Sequence, residues 1–336
     1  MTTERVLVTG GGGYVAGWCI VELLRRGFAV RTTLRSHARE PVLRAALAAA
    51  GVATDELTVA VADLTADDGW DAAMAGCTHV LHVASPLSAT DGDPTAAARD
   101  GTLRVLRAAV RAGVRRVVMT SAAATARLPR EATGVADEQV WSDASDPRFD
   151  AYRRSKILAE QAAWAFMRDD GGTCELVTVL PGAVFGPAIA PGARGSLQIL
   201  QRLLAGKLPG LFRIAFWIVD VRDLAAVHVR AMTEPAAANQ RFLATGELMW
   251  MVDIAATLRA CLGERAAKVP KRQLPNWLVR LLAHLVPQLA GLVPELGRRN
   301  DVSSAKARRM LGFAPRPATD TIVDSATYLL ASAGRA

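Results

Sequence analysis

The chain has 336 residues, of which 51% are hydrophobic, so it can bury the core of one globular subunit made of a sheet domain and a smaller appended part. The formal net charge is +8, but aromatic residues make up only 5% of the chain and no block of Lys and Arg is interleaved with them. This composition argues against a nucleic-acid partner and favours anionic small molecules.

A glycine-rich turn lies between the first predicted strand and the first predicted helix. Arg5–Val8 is a short run rich in branched apolar residues, and after the glycines apolar residues recur at helical spacing over residues 19–26. Gly10 would permit the tight turn, and Gly13 would let a pyrophosphate approach the backbone N–H groups at the helix N-terminus. Ala16 stands where a small residue lets helix and strand touch. This context predicts a dinucleotide-binding turn, with a flexible loop as the alternative.

The second predicted strand, Ala29–Leu34, ends at a basic residue. Sheets that bind NAD usually place a carboxylate near this point to hold the ribose 2′-hydroxyl, whereas a guanidinium suits the 2′-phosphate of NADP. No acid stands at this strand end, and Arg35 follows it directly. Arg35, helped by Arg39 or Arg44, therefore predicts NADP(H) as the cofactor. A solvated surface arginine is the alternative.

The third predicted strand begins at Leu57 and ends with an acid, Asp63. Its carboxylate would accept a hydrogen bond from the adenine amino group of the cofactor. Because Asp67 and Asp68 follow, a helix cap is the alternative role of Asp63.

Tyr152 and Lys156 are four residues apart in a segment with helical periodicity, so they share one face of a helix. An ammonium beside a phenol favours the phenolate, so Lys156 should lower the pKa of Tyr152 from its usual value of about 10. Tyr152 would then be a proton donor at neutral pH. An ordinary amphipathic helix with a half-buried tyrosine and a solvated lysine is the alternative.

Strands and helices alternate along the first part of the chain, which predicts a doubly wound parallel α/β (Rossmann) sheet. Further strands are predicted at His79–His82, 114–120 and 175–180, with helical patterns at 95–111 and 152–168. Ligands of such sheets bind at the carboxyl ends of the strands. The glycine turn, Asp63, Ser121 and the start of the Tyr152 helix should converge there.

The sequence carries no targeting, membrane or metal signal. Met1 to Glu4 leads directly into the first strand, so we expect no signal peptide and a cytoplasmic protein. The most membrane-like stretch, 277–294, is interrupted by Arg280 and His284 and does not reach the roughly 18 to 20 apolar residues needed to span a bilayer. We expect two amphipathic helices over a substrate pocket and no membrane partner. The four Cys and five His have no ligand spacing, which predicts no metal.

On these motifs the chain resembles the extended short-chain dehydrogenase/reductases, and within them the branch of dihydroflavonol reductases, cinnamoyl-CoA reductases and related aldehyde and ketone reductases. The matching stretches follow the family's order over about the first three-fifths of the chain. They are VTGGGGYV (8–15), VRTTLR (30–35), ADL (62–64), HVASP (82–86), RRVVMTS (115–121), YRRSK (152–156) and LPGAVFGP (180–187). The HVASP stretch and Arg35 narrow the resemblance to the reductase branch.

The resemblance implies a role for each matching position. Tyr152 would protonate the carbonyl oxygen as hydride leaves the nicotinamide, and Lys156 would hold the nicotinamide ribose and tune Tyr152. Ala84 would line the cofactor groove, and the turn from Pro181 to Val184 would meet the nicotinamide carboxamide. The full set of implied cofactor contacts is Gly10, Gly12, Gly13, Tyr14, Val15, Arg35, Asp63, Leu64, Val83, Ala84, Tyr152, Lys156, Pro181 and Val184.

One position departs from the family. The fifth strand of the family ends Thr-Ser-Ser, and the second Ser binds the substrate oxygen, but here Ala122 stands at that position. Ser121 or Thr125 would have to replace the missing hydroxyl, although neighbours on a strand face opposite sides. Loss of one such donor typically costs about a hundredfold or more in turnover.

The resemblance also divides the chain. Asp220 begins a helix that runs to Met232 and matches the family's return to the main sheet. We expect residues 1–186, completed by about 212–238, to form the dinucleotide-binding domain. Residues 187–211 and 239–336 should form a smaller C-terminal α/β substrate-binding part, because Pro and Gly punctuate the chain after Gly186.

The sequence therefore predicts an NADPH-dependent reductase of a small or medium aldehyde or ketone, with reversible alcohol oxidation, acting as a monomer or homodimer. A nucleotide-sugar epimerase or dehydratase of the same fold, with tightly held NAD, is one alternative. A protein that senses NADP without turnover is the other.

Overall fold

The structure is a computed structural model and describes residues 4–85, 94–129, 131–190 and 195–333. The strands in these ranges are β1 (Arg5–Val8), β2 (Ala29–Leu34), β3 (Leu57–Val61), β4 (His79–His82), β5 (Arg116–Thr120), β6 (Glu175–Pro181), β7 (Ala183–Phe185), β8 (Ala215–Asp220), β9 (Arg241–Ala244) and β10 (Leu248–Trp250). The helices are α1 (Tyr14–Arg25), α2 (Glu40–Ala49), α3 (Trp70–Met74), α4 (Pro94–Arg111), α5 (Ala151–Asp170), α6 (Leu197–Leu204), α7 (Val221–Thr233), α8 (Met251–Leu262), α9 (Asn276–Ala283), α10 (Pro287–Ala290), α11 (Ala305–Leu311) and α12 (Ala318–Ala333).

The described part of the chain contains a seven-stranded parallel sheet in the order β3-β2-β1-β4-β5-β6-β9. In register, Val6 of β1 pairs with Val30 of β2 and with His79 of β4. The order of the strands reverses between β1 and β4, and a crevice for a ligand forms at the carboxyl ends of such strands. The predicted doubly wound sheet is confirmed.

Helices cover both faces of this sheet, as the alternating side chains of β1 show. Val6 and Val8 lie in a core with α1, α2 and α7, whereas Leu7 lies in a separate core with α3, α4 and α5. A strand that is buried on both faces is apolar at every position. This is why Arg5–Val8 could be recognised from sequence.

A second, smaller unit surrounds β7, β8 and β10. β8 pairs in parallel with β7 and antiparallel with β10, and α6, α8, α9 and α12 close the core over them. The chain passes from β6 to β7 through Gly182. A Cβ at this glycine would lie 2.1 Å from the carbonyl oxygen of Trp217, so the two sheets can approach only because the residue has no side chain.

The main sheet takes its last strand from β9, which lies outside the 212–238 segment that we expected to complete it. Within that segment, β8 joins the second sheet and α7 packs on the main one. β9 has only four residues and starts with a charged one, so its sequence is a weak strand signal. The main sheet thus extends to Ala244, and the division of the chain into two parts stays a prediction.

Among the described helices, none combines the length and the apolar character that a membrane crossing requires. The 277–294 stretch contains the two short helices α9 and α10. Val279 of α9 is fully buried in the core of the smaller unit. That these helices cover a substrate pocket stays a prediction.

Candidate active site

The glycine turn between β1 and α1 has no room for side chains at two positions. Gly10 has a φ of +71°, which L residues rarely adopt, and a Cβ there would lie 2.9 Å from the Cβ of Ala84. A Cβ at Gly11 would lie 2.2 Å from Oγ1 of Thr32. Gly13 is the N-cap of α1, and its N–H donates to the Gly10 carbonyl at 2.8 Å. The N-terminus of α1 therefore opens at the carboxyl edge of the main sheet.

Thr9, the residue before the turn, joins β1 to the end of β4. Its hydroxyl oxygen accepts hydrogen bonds from the N–H groups of Val83 and Ala84, each at 3.0 Å, and lies 3.0 Å from Nδ1 of His82. Burial lowers the pKa of His82 to about 3, and the charge of Lys156 acts in the same direction, so the imidazole is neutral. These bonds hold Val83 and Ala84 beside the glycine turn. Thr9 and His82 belong to stretches that match the family, but their roles were not predicted from the sequence.

Tyr14 and Val15 begin α1, and their side chains are used within the protein. The Tyr14 hydroxyl donates to the Gly186 carbonyl at 2.7 Å, and burial raises the pKa of this phenol. Val15 packs against the core of the main sheet. Their predicted contact with a cofactor stays a prediction, and it would be made by backbone N–H groups at the helix N-terminus.

Arg35 and Asp63 follow adjacent strands, β2 and β3, at the same edge. Arg35 is exposed. Asp63 accepts from the N–H and the hydroxyl of Thr65, each at 2.8 Å. The backbone bond contributes most to a lowered pKa of Asp63, and the charge of Arg35 adds to it. The helix-cap alternative for Asp63 is wrong, because the N-cap of α3 is Gly69. Leu64, the next predicted contact, is half-buried.

The two arginines expected to help Arg35 differ in their surroundings. Arg39 is exposed in a 3₁₀ turn, His37–Arg39. Arg44 donates to the Glu40 carboxylate at 2.8 Å and to the carbonyls of Thr54 and Leu57, each at 2.9 Å. These bonds tie α2 to the start of β3. Arg44 is therefore occupied, whereas Arg39 is exposed and its help to Arg35 stays a prediction.

Helix α5 positions the predicted catalytic pair. It begins after Asp150, whose carboxylate accepts from the N–H of Arg153 at 2.8 Å. Tyr152 on the first turn is 47% exposed, whereas Lys156 one turn later is buried. Nζ of Lys156 donates to the carbonyl of Thr120, the last residue of β5, at 3.4 Å. The pair thus lies at the carboxyl edge of the sheet, with Lys156 the deeper of the two.

The pKa values of this pair differ from the expectation. Burial lowers the pKa of Lys156 to about 8, and the carboxylate of Glu160 opposes the change. The pKa of Tyr152 is raised, first by desolvation and then by the Asp150 carboxylate. The predicted lowering of the Tyr152 pKa is therefore wrong, because the ammonium of Lys156 is directed at the end of β5. A phenol with a raised pKa is protonated at neutral pH and has a proton to donate.

The two hydroxyls expected to replace the missing serine are engaged inside the protein. Ser121 donates to the Glu160 carboxylate at 2.6 Å. Thr125 donates to the carbonyl of Ala122 at 2.9 Å and accepts from Arg241 at 3.2 Å. Both side chains are buried. These contacts do not favour either hydroxyl as a substrate donor, and a catalytic role for them stays a prediction.

A buried ion pair under these residues was missed from sequence. Glu160 is fully buried and accepts from Thr178 at 2.8 Å and from Nε of Arg241 at 2.9 Å, in addition to Ser121. The guanidinium of Arg241 also lies 3.6 Å from the centre of the Trp141 ring. Through these hydrogen bonds, Glu160 connects α5 to the end of β5 and to β6 and β9. The sequence signal of the pair was a glutamate one turn after Lys156, on the same helix face.

Pro181 and Val184 flank the passage between the two sheets. Pro181 ends β6, and Val184 lies in β7, half-buried against the core of the main sheet. The structure thus brings the glycine turn, the ends of β2 to β6 and the start of α5 to one edge. Over the ranges that the structure describes, no group of three or more His, Cys, Asp or Glu side chains is arranged to hold a metal ion.

Comparisons with known proteins agree with this arrangement. The model of the NAD dependent epimerase/dehydratase family matches residues 6–244. A putative anthocyanidin reductase of Ginkgo biloba is 34% identical over 70% of this chain and 74% of its own, and the ketoreductase azaE of Aspergillus niger is 30% identical over 98% of both. The structure of the yeast methylglyoxal/isovaleraldehyde reductase Gre2 complexed with NADPH superposes with a TM-score of 0.80 at 22% identity, over 99% of this chain and 100% of that one. The chain therefore belongs to the NAD dependent epimerase/dehydratase family, the extended short-chain dehydrogenase/reductases, and is similar there to the dihydroflavonol, cinnamoyl-CoA and anthocyanidin reductases.

Proposed function

We propose that the protein is an NADPH-dependent reductase that transfers hydride to an aldehyde or ketone and runs the reverse alcohol oxidation as well. The observation that carries the proposal is the arrangement on α5. An exposed phenol, Tyr152, stands one turn before a buried ammonium, Lys156, which meets the end of β5. The glycine turn opens on the same edge of the sheet.

The residues at this edge fit NADPH. The N-terminus of α1 attracts a diphosphate, and a Cβ at Gly12 would meet nothing closer than 3.8 Å, so the turn is open there. Arg35 supplies an exposed guanidinium for the 2′-phosphate, and the carboxylate of Asp63 on the next strand end suits the adenine amino group. When bound, the cofactor supplies the hydride.

Tyr152 supplies the proton in this proposal. Its raised pKa keeps the phenol protonated at neutral pH, so the hydroxyl proton passes to the carbonyl oxygen while the carbonyl carbon accepts the hydride. Lys156, whose ammonium meets the Thr120 carbonyl, would hold the nicotinamide ribose of the cofactor in this proposal. Because the pKa of Lys156 is about 8, the ammonium keeps most of its charge near neutral pH.

The relatives support reduction over epimerisation. The dihydroflavonol 4-reductase of Zea mays and a cinnamoyl-CoA reductase of Arabidopsis thaliana are each 33% identical, over 76% and 72% of this chain. A nucleoside-diphosphate-sugar epimerase from Pseudomonas aeruginosa is 19% identical and supports the fold alone. Arg35 also suits NADP better than the NAD of an epimerase.

The test is NADPH consumption over a panel of aldehydes, ketones, flavanonols and acyl-CoA thioesters. We expect turnover of at least one class by the parent and loss of turnover in Tyr152→Phe. Tyr328→Phe is the matched control, since the Tyr328 hydroxyl donates to the Ala190 carbonyl in the smaller unit. Conversion of a nucleotide sugar with bound NAD would identify an epimerase. NADPH binding without turnover of any class would identify a sensor.

A further inference from the structure

Helix α9 exposes a stripe of large apolar side chains. Trp277, Leu281 and Leu285 are 65%, 56% and 77% exposed, and Val286 beside them is 39% exposed. The first three recur every four residues, so they lie along one side of α9 and the turn that continues it. Val279, on the other side of the helix, is fully buried in the core of the smaller unit. The apolar stripe, residues 277, 281, 285 and 286, therefore faces away from the protein on an anchored helix.

This concentration is unusual for the surface of this protein. Nine large hydrophobic residues are exposed in the described part of the chain, and four of them are these four residues of the stripe. Single exposed apolar side chains are normal, but a contiguous exposed apolar group indicates a surface that binds another molecule or a membrane.

The charge of the segment that contains the stripe indicates the chemistry of its binding partner. Residues 265–294 contain five basic residues and no Asp or Glu. Lys271 and Arg272, just before α9, and Arg280, on the helix itself, are exposed. The next acid along the chain, Glu295, is buried and paired with Arg127, so it does not offset this charge at the surface. An apolar stripe in a segment that carries basic residues and no acid is complementary to a surface with anionic groups over an apolar layer.

We propose that α9 docks on the surface of an anionic lipid bilayer. Trp277, Leu281 and Leu285 enter the boundary between headgroups and acyl chains, where Trp is favoured, and Lys271, Arg272 and Arg280 bind lipid phosphates. The helix lies on the membrane and does not cross it, which agrees with the absence of a spanning helix among the described residues. The proposal replaces the expectation of no membrane partner and does not depend on the enzymatic reaction.

The experiment is flotation of the full chain with two kinds of vesicle, pure phosphatidylcholine and an equal mixture of phosphatidylcholine and phosphatidylglycerol. We expect binding to the mixed vesicles, little binding to the neutral ones, and weakening by salt. Trp277→Ser combined with Leu281→Ser should lower the partition coefficient by about tenfold or more. Lys271→Glu combined with Arg280→Glu should abolish the preference for anionic lipid.

The matched control carries two serine substitutions at exposed apolar residues elsewhere. Val42 and Val135 are 58% and 62% exposed and lie outside the stripe, so Val42→Ser with Val135→Ser should bind vesicles like the parent. Thermal melts of all variants show that each is folded. No flotation of the parent with anionic vesicles, or equal flotation of the parent and the stripe variant, overturns the proposal. Self-association of the parent, measured by light scattering and lost in the stripe variant without any vesicle binding, assigns the stripe to a second copy and also overturns it.

Discussion

Replacing Lys156 by Met should stabilise the folded protein. Lys156 is 6% exposed, and burial lowers its pKa from 10.5 to about 8. Each tenfold change in proton affinity is worth ~1.4 kcal/mol, so the buried charge costs the folded state about 3 kcal/mol near neutral pH. Methionine fills a similar volume without charge. It forgoes the hydrogen bond to the Thr120 carbonyl, worth about 1 kcal/mol. The net gain should be about 2 kcal/mol.

This gain should depend on pH in one direction. In the unfolded chain the lysine holds its proton up to pH 10.5, whereas in the folded protein it holds the proton only up to about pH 8. Between these values the unfolded state binds more protons, so the stability of the parent rises with pH across the window. The cost of the charge is full below about pH 8 and is absent above 10.5. The advantage of Lys156→Met should therefore shrink by about 1 kcal/mol between about pH 7 and about pH 9.

Urea unfolding at these two pH values measures the effect. Lys207→Met is the matched control, because Lys207 is exposed and the same substitution there should give no pH-dependent difference in the free energy of unfolding. The same Lys156→Met protein should lose reductase turnover by about a hundredfold or more, since the ammonium that would hold and orient the nicotinamide ribose is removed. A variant less stable than the parent near pH 7, or an advantage that does not change with pH, refutes the assignment of Lys156 as a desolvated ammonium.

Three further substitutions test the other parts of the site. Tyr152→Phe should keep cofactor affinity, measured by fluorescence titration, but lower turnover at least about a hundredfold; near-normal turnover would place the acid elsewhere. Arg35→Asp should weaken NADPH binding by about 2 kcal/mol or more and leave NADH little changed, and equal affinities of the parent for the two cofactors would contradict this. Glu160→Gln should cost about 3 kcal/mol in the free energy of unfolding, because Arg241 is left buried without its counter-charge. It should also move the basic limb of the pH–rate profile to lower pH, since Glu160 raises the pKa of Lys156; an unmoved limb would separate Glu160 from the pair.

The main sheet could be predicted from sequence because its strands are buried on both faces. Val6, Leu7 and Val8 are each fully buried, although Leu7 faces the opposite layer from the two valines. Such a run is continuous in sequence and is bounded by the glycine turn. β9 lacks this signal, because Arg241 at its start turns its side chain into a polar network instead of a core. A strand is therefore harder to recognise from its sequence where one of its buried end residues is charged.

In the glycine turn, the requirement for glycine could be predicted from the sequence at one position but not at the next. The need for a positive φ at Gly10 follows from a tight turn after a strand, so its role was predictable. The need for glycine at Gly11 follows from Oγ1 of Thr32, a residue on the next strand and 21 positions away. Nothing local in the sequence connects these two residues, because strand pairing alone brings them together.

The Tyr152 and Lys156 pair shows why a correct spacing gave a wrong direction for the pKa. Residues four apart share a helix face, but the direction of a long side chain depends on what it can bond beneath the helix. Nζ of Lys156 donates to the carbonyl of Thr120, and the Glu160 carboxylate raises its pKa. The ammonium therefore interacts with groups on the inner side of α5. The pKa of Tyr152 is raised instead by desolvation and by the negative charge of Asp150 at the start of the helix.

The absent serine at Ala122 is best understood through the same buried network. Ser121 donates to Glu160, and Thr125 is held between the Ala122 carbonyl and Arg241, so moving either hydroxyl towards a substrate would leave a buried charge with one fewer partner. Such a loss costs about 1 to 3 kcal/mol for each bond. Tyr152, which is 47% exposed, lies outside this buried network. In the proposed reaction, polarisation of the substrate oxygen would therefore fall to Tyr152, whereas Ser121 and Thr125 would serve the stability of the site.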